Sequence, residues 1–556
     1  MKIYCLVYCL LASICPAQFS SAQKVGDTTT SSAPRIVNIV NFIRLLEPRD
    51  SSVTEDVLYQ TVVKQAEILK QYHLKGTFLL QYDALMDSRY QNLLRSLPKD
   101  EFEIGAWWEI PQPLIEHAGL KWRGKYPWDW RANVGFSTGY TQQERIKLID
   151  TYMSNFKKIF GDYPKSVASW FIDAFSLNYM YQKYHIAASA NCKDQYGTDG
   201  YTLWGGYWNQ AYYPSKINAY MPAQHVASQI PVPVFRMLGS DPVRQYDNGL
   251  ENERQGVVTL EPVYAFGGGD SAWVHWFFQQ LVEGEPLAFA YTQAGQENSF
   301  TWNAMQHGFE IQMPLIAQLA GEHKIVVETL GESGKWFTAH FKTTPATAVI
   351  VNKDLDNSNK KTVWYNSRFY RVNFLWEDDA LRIRDIHLFN ENFPSVYETK
   401  PVTENECKFF TLPFVDGYVW SDSNTLAGLR FKAMVNEKEM LLKGNTISVS
   451  KNMNGDLEIV WQLQSVAGKF IIDCNEKNCT IQFDGTSSLN WYLDFLSSAK
   501  AQLPFIHITP KNIACSFDNF KYNVSTGEGT FIQSSNTTYK IQPTNNKINI
   551  ELNEEK

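Results

Sequence analysis

The sequence lacks the features that would place it in several large classes. Cysteine is scarce. Of eight in 556 residues, Cys5, Cys9 and Cys15 lie in the N-terminal apolar stretch, leaving Cys192, Cys407, Cys474, Cys479 and Cys515 for the body of the chain. That is too few for a disulfide scaffold. No run of Lys and Arg occurs and the formal net charge is −7, so the electrostatic footprint of a nucleic-acid binder is missing. Beyond the N-terminus no apolar run is long enough to span a bilayer. There is no HExxH and no GxSxG, and the GGGD of Gly267–Asp270 lacks the Gly-Lys-Ser/Thr of a phosphate loop. His73, His117, His185, His225, His275 and His307 form no pair at metal-ligand spacing. No metal and no cofactor is therefore expected.

What is present is a globular composition, 44% hydrophobic and 20% charged. The N-terminus reads as an export signal over residues 1–22. Lys2 supplies the positive charge, Ile3–Ala12 the short apolar stretch, and Ser20-Ser21-Ala22 a small-residue cleavage site. A polar leader follows over 23–34, and the protein is expected to be secreted or periplasmic. The bulky Ile14 before Cys15 argues against a lipid anchor there. Cys474 and Cys479 bracket NEKN between strand-like runs. In an oxidising compartment one hairpin disulfide is open to them, but no second Cys or His pair supports a metal.

From Arg35 to about residue 335, strand and helix signals alternate. IVNIVNFIRLL, GTFLLQYDAL, EFEIGAWWEI, SVASWFID, IAASANC, QGVVTLEPVY, EPLAFAYTQAG and KIVVETL read as strands. Helical spacing runs through VLYQTVVKQAEILKQYH, TQQERIKLIDTYMSNFKKIFG, LNYMYQKYH, DSAWVHWFFQQLVE and WNAMQHGFEIQMPLIAQLA. Such alternation implies an α/β fold, a parallel (β/α) barrel of about seven strands. Helical periodicity stops near Trp336. Residues 336–556 carry short strand signals separated by Asn, Asp, Gly and Ser turns, the pattern of an all-β sandwich region of one or two domains.

In a βα barrel the chemistry sits at strand C-terminal ends and in the loops after them. Glu109 follows EIGAWW and Asp173 follows SVASWFI. Asp194 and Asp199 lie in the loop CKDQYGTDGYTLWGGYWNQ, Glu261 ends VVTLE, and Glu297 follows AFAYTQAGQ. Asp173 and Glu109 stand out because a carboxylate is costly to bury against an apolar or aromatic run without purpose. Plainer readings exist: Asp199 before Gly200 as a turn residue, Asp194 as a loop-orienting group, Glu261 as a backbone partner, Glu297 as a helix N-terminal acid. Aromatic residues are the second signal, since 11 of 17 Trp lie between Trp107 and Trp302. Trp107 and Trp108 flank Glu109, Trp128 and Trp130 sit beside Arg123, Asp129 and Arg131, and Trp204 and Trp208 share a long loop with Tyr207, Tyr212 and Tyr213. Flat rings mixed with polar side chains suit the faces and hydroxyls of sugars. The same rings could simply pack large loops onto the barrel.

The order of these pieces resembles the glycoside hydrolase/polysaccharide deacetylase barrel superfamily over roughly residues 35–330. GTFLLQYDAL resembles its second strand, FEIGAWWEIPQPL its third, and GDYPKSVASWFIDAFSLNYM the segment whose strand end carries a functional motif. The whole chain resembles a family of secreted bacterial proteins with this barrel and a β-rich tail. The deacetylase metal residues are missing: Asn38, Asn41 and Arg44 occupy the first-strand segment, and Trp107, Trp108 and Glu109 replace the histidine motif. Metal-free retaining glycosidases of the superfamily place a carboxylate nucleophile at the equivalent of WFID and a second acid on a late strand. That resemblance implies Asp173 as nucleophile or base, with Glu297 as general acid and Glu109 as its rival, although Gly295 stands where the usual late acid falls. Trp107, Trp108, Trp128, Trp130, Asp194, Asp199, Trp204, Trp208 and Glu261 are the expected substrate-binding residues. Three readings follow, each with an oligo- or polysaccharide partner. They are a glycoside hydrolase using two carboxylates, a non-catalytic glycan-binding protein on a degenerate barrel, and a carbohydrate deacetylase or lyase.

Overall fold

The apolar run at the start of the barrel region forms strand β1 (Arg35–Ile43), buried along all but its first residue, as a central parallel strand must be. The structure, a computed structural model, describes residues 33–553 apart from Asn252, Glu253, Val257, Ser465, Ser487, Asn536 and Thr537. The export signal, Cys15 and nearly all of the leader lie outside the described residues. β1 pairs with β2 (Gly76–Leu80), followed by β3 (Phe102–Trp107), β4 (Ser166–Ala168) and β5 (Ala188–Asn191), each parallel to its neighbour. The chain then leaves the barrel through a hairpin, β6 (Gln195–Thr198) and β7 (Tyr201–Trp204), the short β8 (Ala211–Tyr212) and a small antiparallel pair, β9 (Pro214–Ser215) and β10 (Asn218–Pro222). β11 (Val234–Arg236) returns beside β5, and β12 (Ala290–Ala294) closes on β1, both in parallel. β13 (Val326–Glu328) pairs with the first half of β1. The order β12-β1-β2-β3-β4-β5-β11-β8 is a nearly closed barrel, parallel except for β8.

Helices cover the outside. Gln142–Phe160 starts at a capping box between Thr141 and Glu144 and ends at Gly161 in the left-handed conformation, a helix bounded by its own sequence. Two segments depart from the sequence reading. β4 stops at Ala168, and the apolar Phe171 and Ile172 are buried by packing without strand pairing. Asp173 therefore ends no strand; it is the N-cap of helix Ala174–Tyr184. Residues 258–261, the described part of VVTLE, form no strand, and only an isolated bridge joins Thr259 to Ser240.

Helix Leu330–His340 crosses the boundary expected at residue 335. Beyond it, β14 (Thr347–Val351), β15 (Lys361–Asn366), β16 (Tyr370–Glu377) and β17 (Ala380–Leu388) form an antiparallel meander. They open a ten-stranded sheet, which faces an eight-stranded one running from Thr446–Lys451 to Phe505–Ile508 in sheet order. Rings of both sheets meet between them: Phe431 lies edge-on to Trp461 at 5.5 Å, and Phe470 to Trp491 at 4.8 Å. Burial alternates along Leu457–Gln462 with the period of two that a sandwich strand requires. Among the described residues of this region the only helical turn is the 3₁₀ turn Val396–Glu398. Cys474 and Cys479 face each other across a hairpin as free thiols, their sulfurs 3.8 Å apart.

The two regions are joined by pairing. β18 (Cys407–Phe410) runs parallel to β7, making a three-stranded sheet β18-β7-β6, and β19 (Leu412–Asp416) pairs with β17. No helix among the described residues is long and apolar enough to cross a membrane.

Candidate active site

The C-terminal ends of the barrel strands converge on a cleft with about 670 Å³ of space including its open side. Arg44 follows β1, Glu109 lies two residues beyond β3, and Trp170 two beyond β4. The hairpin after β5 contributes Gln195, Thr198, Asp199 and Tyr201, Leu238 lies after β11, and Glu297 lies three residues beyond β12. Glu261 and Tyr264 come from the loop before helix Ser271–Glu283.

Arg44 organises one wall. Its Nε and Nη2 donate to Glu109 at 2.9 and 2.7 Å, and its Nη1 lies 2.6 Å from Glu297 Oε2, close enough for ion pairing but off the line of a hydrogen bond. Gln81 adds a 2.6 Å hydrogen bond to Glu109. The guanidinium stacks 4.1 Å from the Trp128 ring, with Arg49 at 5.0 Å from the same ring, a cation–π arrangement. Trp128 is thereby buried under arginine, whereas Trp130 and Trp170 are half-buried and line the cleft.

Glu297 and Glu261 are mechanically linked. Gln296 donates from Nε2 to Glu261 Oε1 at 2.9 Å, and its Oε1 accepts the Glu297 backbone N–H at 2.8 Å. Gln296 is itself held by Asn41 of β1. The turn into this segment passes through Gly295, whose φ is +101° and whose Cβ position would lie 2.2 Å from the Val40 carbonyl oxygen. Only glycine fits there, which explains why no acid occupies the position. Ser299 donates to Glu297 at 2.5 Å and Thr259 to Glu261 at 2.7 Å. Burial pushes both carboxyls above the usual range; Arg44 opposes this at Glu297, and the hydrogen bonds from Gln296 and Thr259 oppose it at Glu261. Asp199 sits at the hairpin tip. It and Gly200 have φ of +58° and +80°, a two-residue turn of the type that Asp-Gly favours. It is both a turn residue and a cleft residue.

The remaining expected residues are elsewhere. Asp173 is fully buried and does not line the cleft. Its oxygens accept from Arg145 at 2.8 Å, from Ser137 at 2.5 Å and from the Ser176 N–H at 2.8 Å, so the expected nucleophile is a helix cap locked in an ion pair. Asp194 turns toward the sandwich, accepting from Tyr220 at 2.6 Å and Arg236 at 2.5 Å and pairing with Arg371 of β16. Burial would raise it, but Arg371 and Arg236 hold it below the usual range. Trp107 stacks on Phe42 at 4.0 Å inside the barrel and Trp108 packs on Tyr152. Trp204 donates to Asp416, and Trp208 stacks on Trp364 at 4.3 Å. These four are core residues, because each ring is covered by side chains distant in sequence.

The sequence reading passed over Arg44, Tyr201, Tyr264, Trp170 and Gln296. Arg44 carried the same signal as Glu109, a charged residue within two positions of the end of a strand. The barrel type raises the question of a divalent metal, and the cleft does not fit one: among the described residues no histidine lines it, and Glu109 and Glu297 already face a guanidinium. Among the described residues, Asp385, His387 and Asp416 are the three ligand-type side chains that lie together, on β17 and β19. Their charges are met by Arg371, 2.6 Å from Asp385, and by His387 Nε2, 3.3 Å from each aspartate.

This fold, a nearly closed and mostly parallel barrel followed by a β-rich region, is similar to that of solved structures. A protein of Parabacteroides distasonis provisionally described as a glycoside hydrolase/deacetylase superposes with a TM-score of 0.51 at 15% identity, over 68% of this chain and 91% of its own. A polysaccharide deacetylase, also provisionally described, from Mycobacterium smegmatis gives 0.34 at 9% identity over 55% and 91%. The 4-alpha-glucanotransferase of Thermococcus litoralis gives 0.31 at 10% over 94% and 100%. Residues 133–369 match the family model DUF3863, a domain of unknown function with a solved structure. No curated protein sequence matches the chain significantly.

Proposed function

We propose that the protein is a secreted carbohydrate-active enzyme, a glycoside hydrolase that works with two cleft carboxylates and no metal. The observation that carries this reading is the Glu261–Gln296–Glu297 arrangement. Two buried carboxyls, both raised by desolvation, are held at a fixed spacing on the wall of a cleft that also presents Trp130, Trp170 and Tyr264. Glycosidic cleavage needs one carboxyl that keeps its proton for the leaving oxygen and one that stays ionised to attack carbon or activate water. Glu261 takes its hydrogen bonds from neutral partners, Thr259 and Gln296, with the buried Lys193 acting on it only at longer range, and suits the acid. Glu297, against Arg44, suits the ionised partner, with Glu109 tied to the same guanidinium as a positioning group. Lys2, Ile3–Ala12 and Ser20-Ser21-Ala22 support export.

A glycan-binding role without turnover is the second reading. It is favoured by Asp173, where the resemblance implies a nucleophile, being buried in an ion pair with Arg145 away from the cleft, and by the neutralisation of Glu109 and Glu297 on one arginine. A panel of defined oligosaccharides separates the two. Turnover by the wild type and a loss of about 10³-fold or more in Glu261→Gln would fit the hydrolase. Full activity in that variant rejects the assignment, and binding without turnover by the wild type selects the second reading.

A further inference from the structure

The β6–β7 hairpin has two faces, and only one looks into the cleft. Strand alternation turns Gln195 and Tyr201 to the cleft and Tyr196 and Thr202 to the other side. β18 continues that outer face, where Lys408 is the register partner of Thr202. The outer face opens on a second hollow with about 1500 Å³ of free space including its open side, against about 670 Å³ for the cleft. The two hollows meet at the hairpin tip. There Asp199, which lines the cleft, lies 4.0 Å from Arg254, which lines the outer hollow.

We propose that the outer hollow is an accessory subsite that binds further sugars of a neutral glycan whose reacting end lies in the cleft. The inference rests on the glycan reading of the cleft. The half-buried Tyr196 stands in the wall and packs on the buried Tyr418 at 5.8 Å, while among the described residues of the rim Glu251 and Glu406 offset Arg254 and Lys408. Balanced charge gives no attraction for a polyanion or a polycation. Among the described residues Val419 is the one large aliphatic side chain on this lining, so the hollow lacks the apolar centre that a protein partner would seek. A half-buried tyrosine in the wall with exposed hydrogen-bonding groups at the rim matches a neutral polyhydroxylated chain.

The test uses the full chain carrying Glu261→Gln, so that ligands are not consumed, and calorimetric binding of cello-, xylo-, manno- and chito-oligosaccharides of increasing length from the disaccharide to the hexasaccharide. In the series that binds, affinity should rise about tenfold or more between the two ends. Lys408→Ala with Glu406→Ala, both on exposed side chains, should remove most of that gain. Arg254→Ala on the opposite rim provides the same reading should the double variant fail to fold. A flat length dependence, or a gain that survives these variants, overturns the accessory subsite while disaccharide binding leaves the cleft reading intact. Absence of binding in every series overturns the cleft reading and the subsite with it.

Discussion

The barrel mouth and the barrel–sandwich junction are built from the same groups, buried carboxylates and arginines, and reach opposite states. At the junction Arg371 reaches both Asp194 and Asp385, and Arg236 adds a second cation to Asp194. Burial works against ionisation, yet Arg371 and its neighbours hold Asp194 low and Asp385 down to about 2. In the cleft a single guanidinium, that of Arg44, makes the ion pairs of Glu109 and Glu297, with Arg49 acting on Glu297 from farther off. Among the described residues Glu261 has no ion pair, and the buried Lys193 acts on it only at longer range. There burial wins, and Glu261 and Glu297 are pushed up. Both clusters are buried, so burial alone does not distinguish architecture from chemistry. The number of cations per carboxylate does, together with free space in front of the group.

The largest expected effect lies at the junction. Arg371→Met leaves Asp194 and Asp385 without their shared cation, and losing one partner of a buried pair costs about 3–5 kcal/mol. Urea unfolding should show that loss. A cost below about 1 kcal/mol would mean that the junction does not depend on charge compensation, and the comparison would fail. Asp173→Asn should cost less, about 1–3 kcal/mol. It keeps the cap geometry at Ser176 but weakens the buried contact with Arg145. Turnover on any substrate the wild type cleaves should persist in the folded variant. Loss of turnover at undiminished stability would restore Asp173 to the chemistry and shift the site away from Glu261.

That contrast marks how far the sequence could be read. The parallel strands β1, β2 and β3 were legible because each is a mostly apolar run near helices of clear periodicity. Glu109, Glu261, Glu297, Asp199, Trp128 and Trp130 were legible because strand ends and long loops face the barrel mouth. The run WFID misled, since apolar residues buried by packing look like a strand until the pairing of β4 ends at Ala168. Trp107, Trp108, Trp204 and Trp208 could not be sorted from cleft aromatics, because what covers each ring is set by tertiary contacts. Asp194 looked like a loop acid because its partner Arg371 is 177 residues away. Local sequence carries strand ends; it does not carry charge compensation between distant segments.

The smallest expected effect concerns pH and the strap that ties the sandwich to the barrel. Glu398, in the 3₁₀ turn Val396–Glu398, accepts the N–H groups of Ala174 and Phe175 at 2.8 and 2.9 Å, at the start of the helix that Asp173 caps. Burial and the neighbouring Asp173 charge push its carboxyl from an ordinary 4.5 up to about 8, against the pull of those N–H groups and of Arg145. The folded state thus keeps a proton that the unfolded chain releases near its ordinary value. The stability it contributes is complete below about pH 4.5 and is lost as pH rises through about 8. Because the side chain is only partly buried from solvent and screened accordingly, we expect a decline of about 1 kcal/mol, roughly a degree or two in Tm. Glu398→Gln removes the titrating group, so its Tm should fall less than that of the wild type between pH 5 and pH 8 at constant ionic strength. Parallel Tm curves for the two proteins would show that Glu398 is already ionised in the folded state and that the helix N–H groups outweigh Asp173.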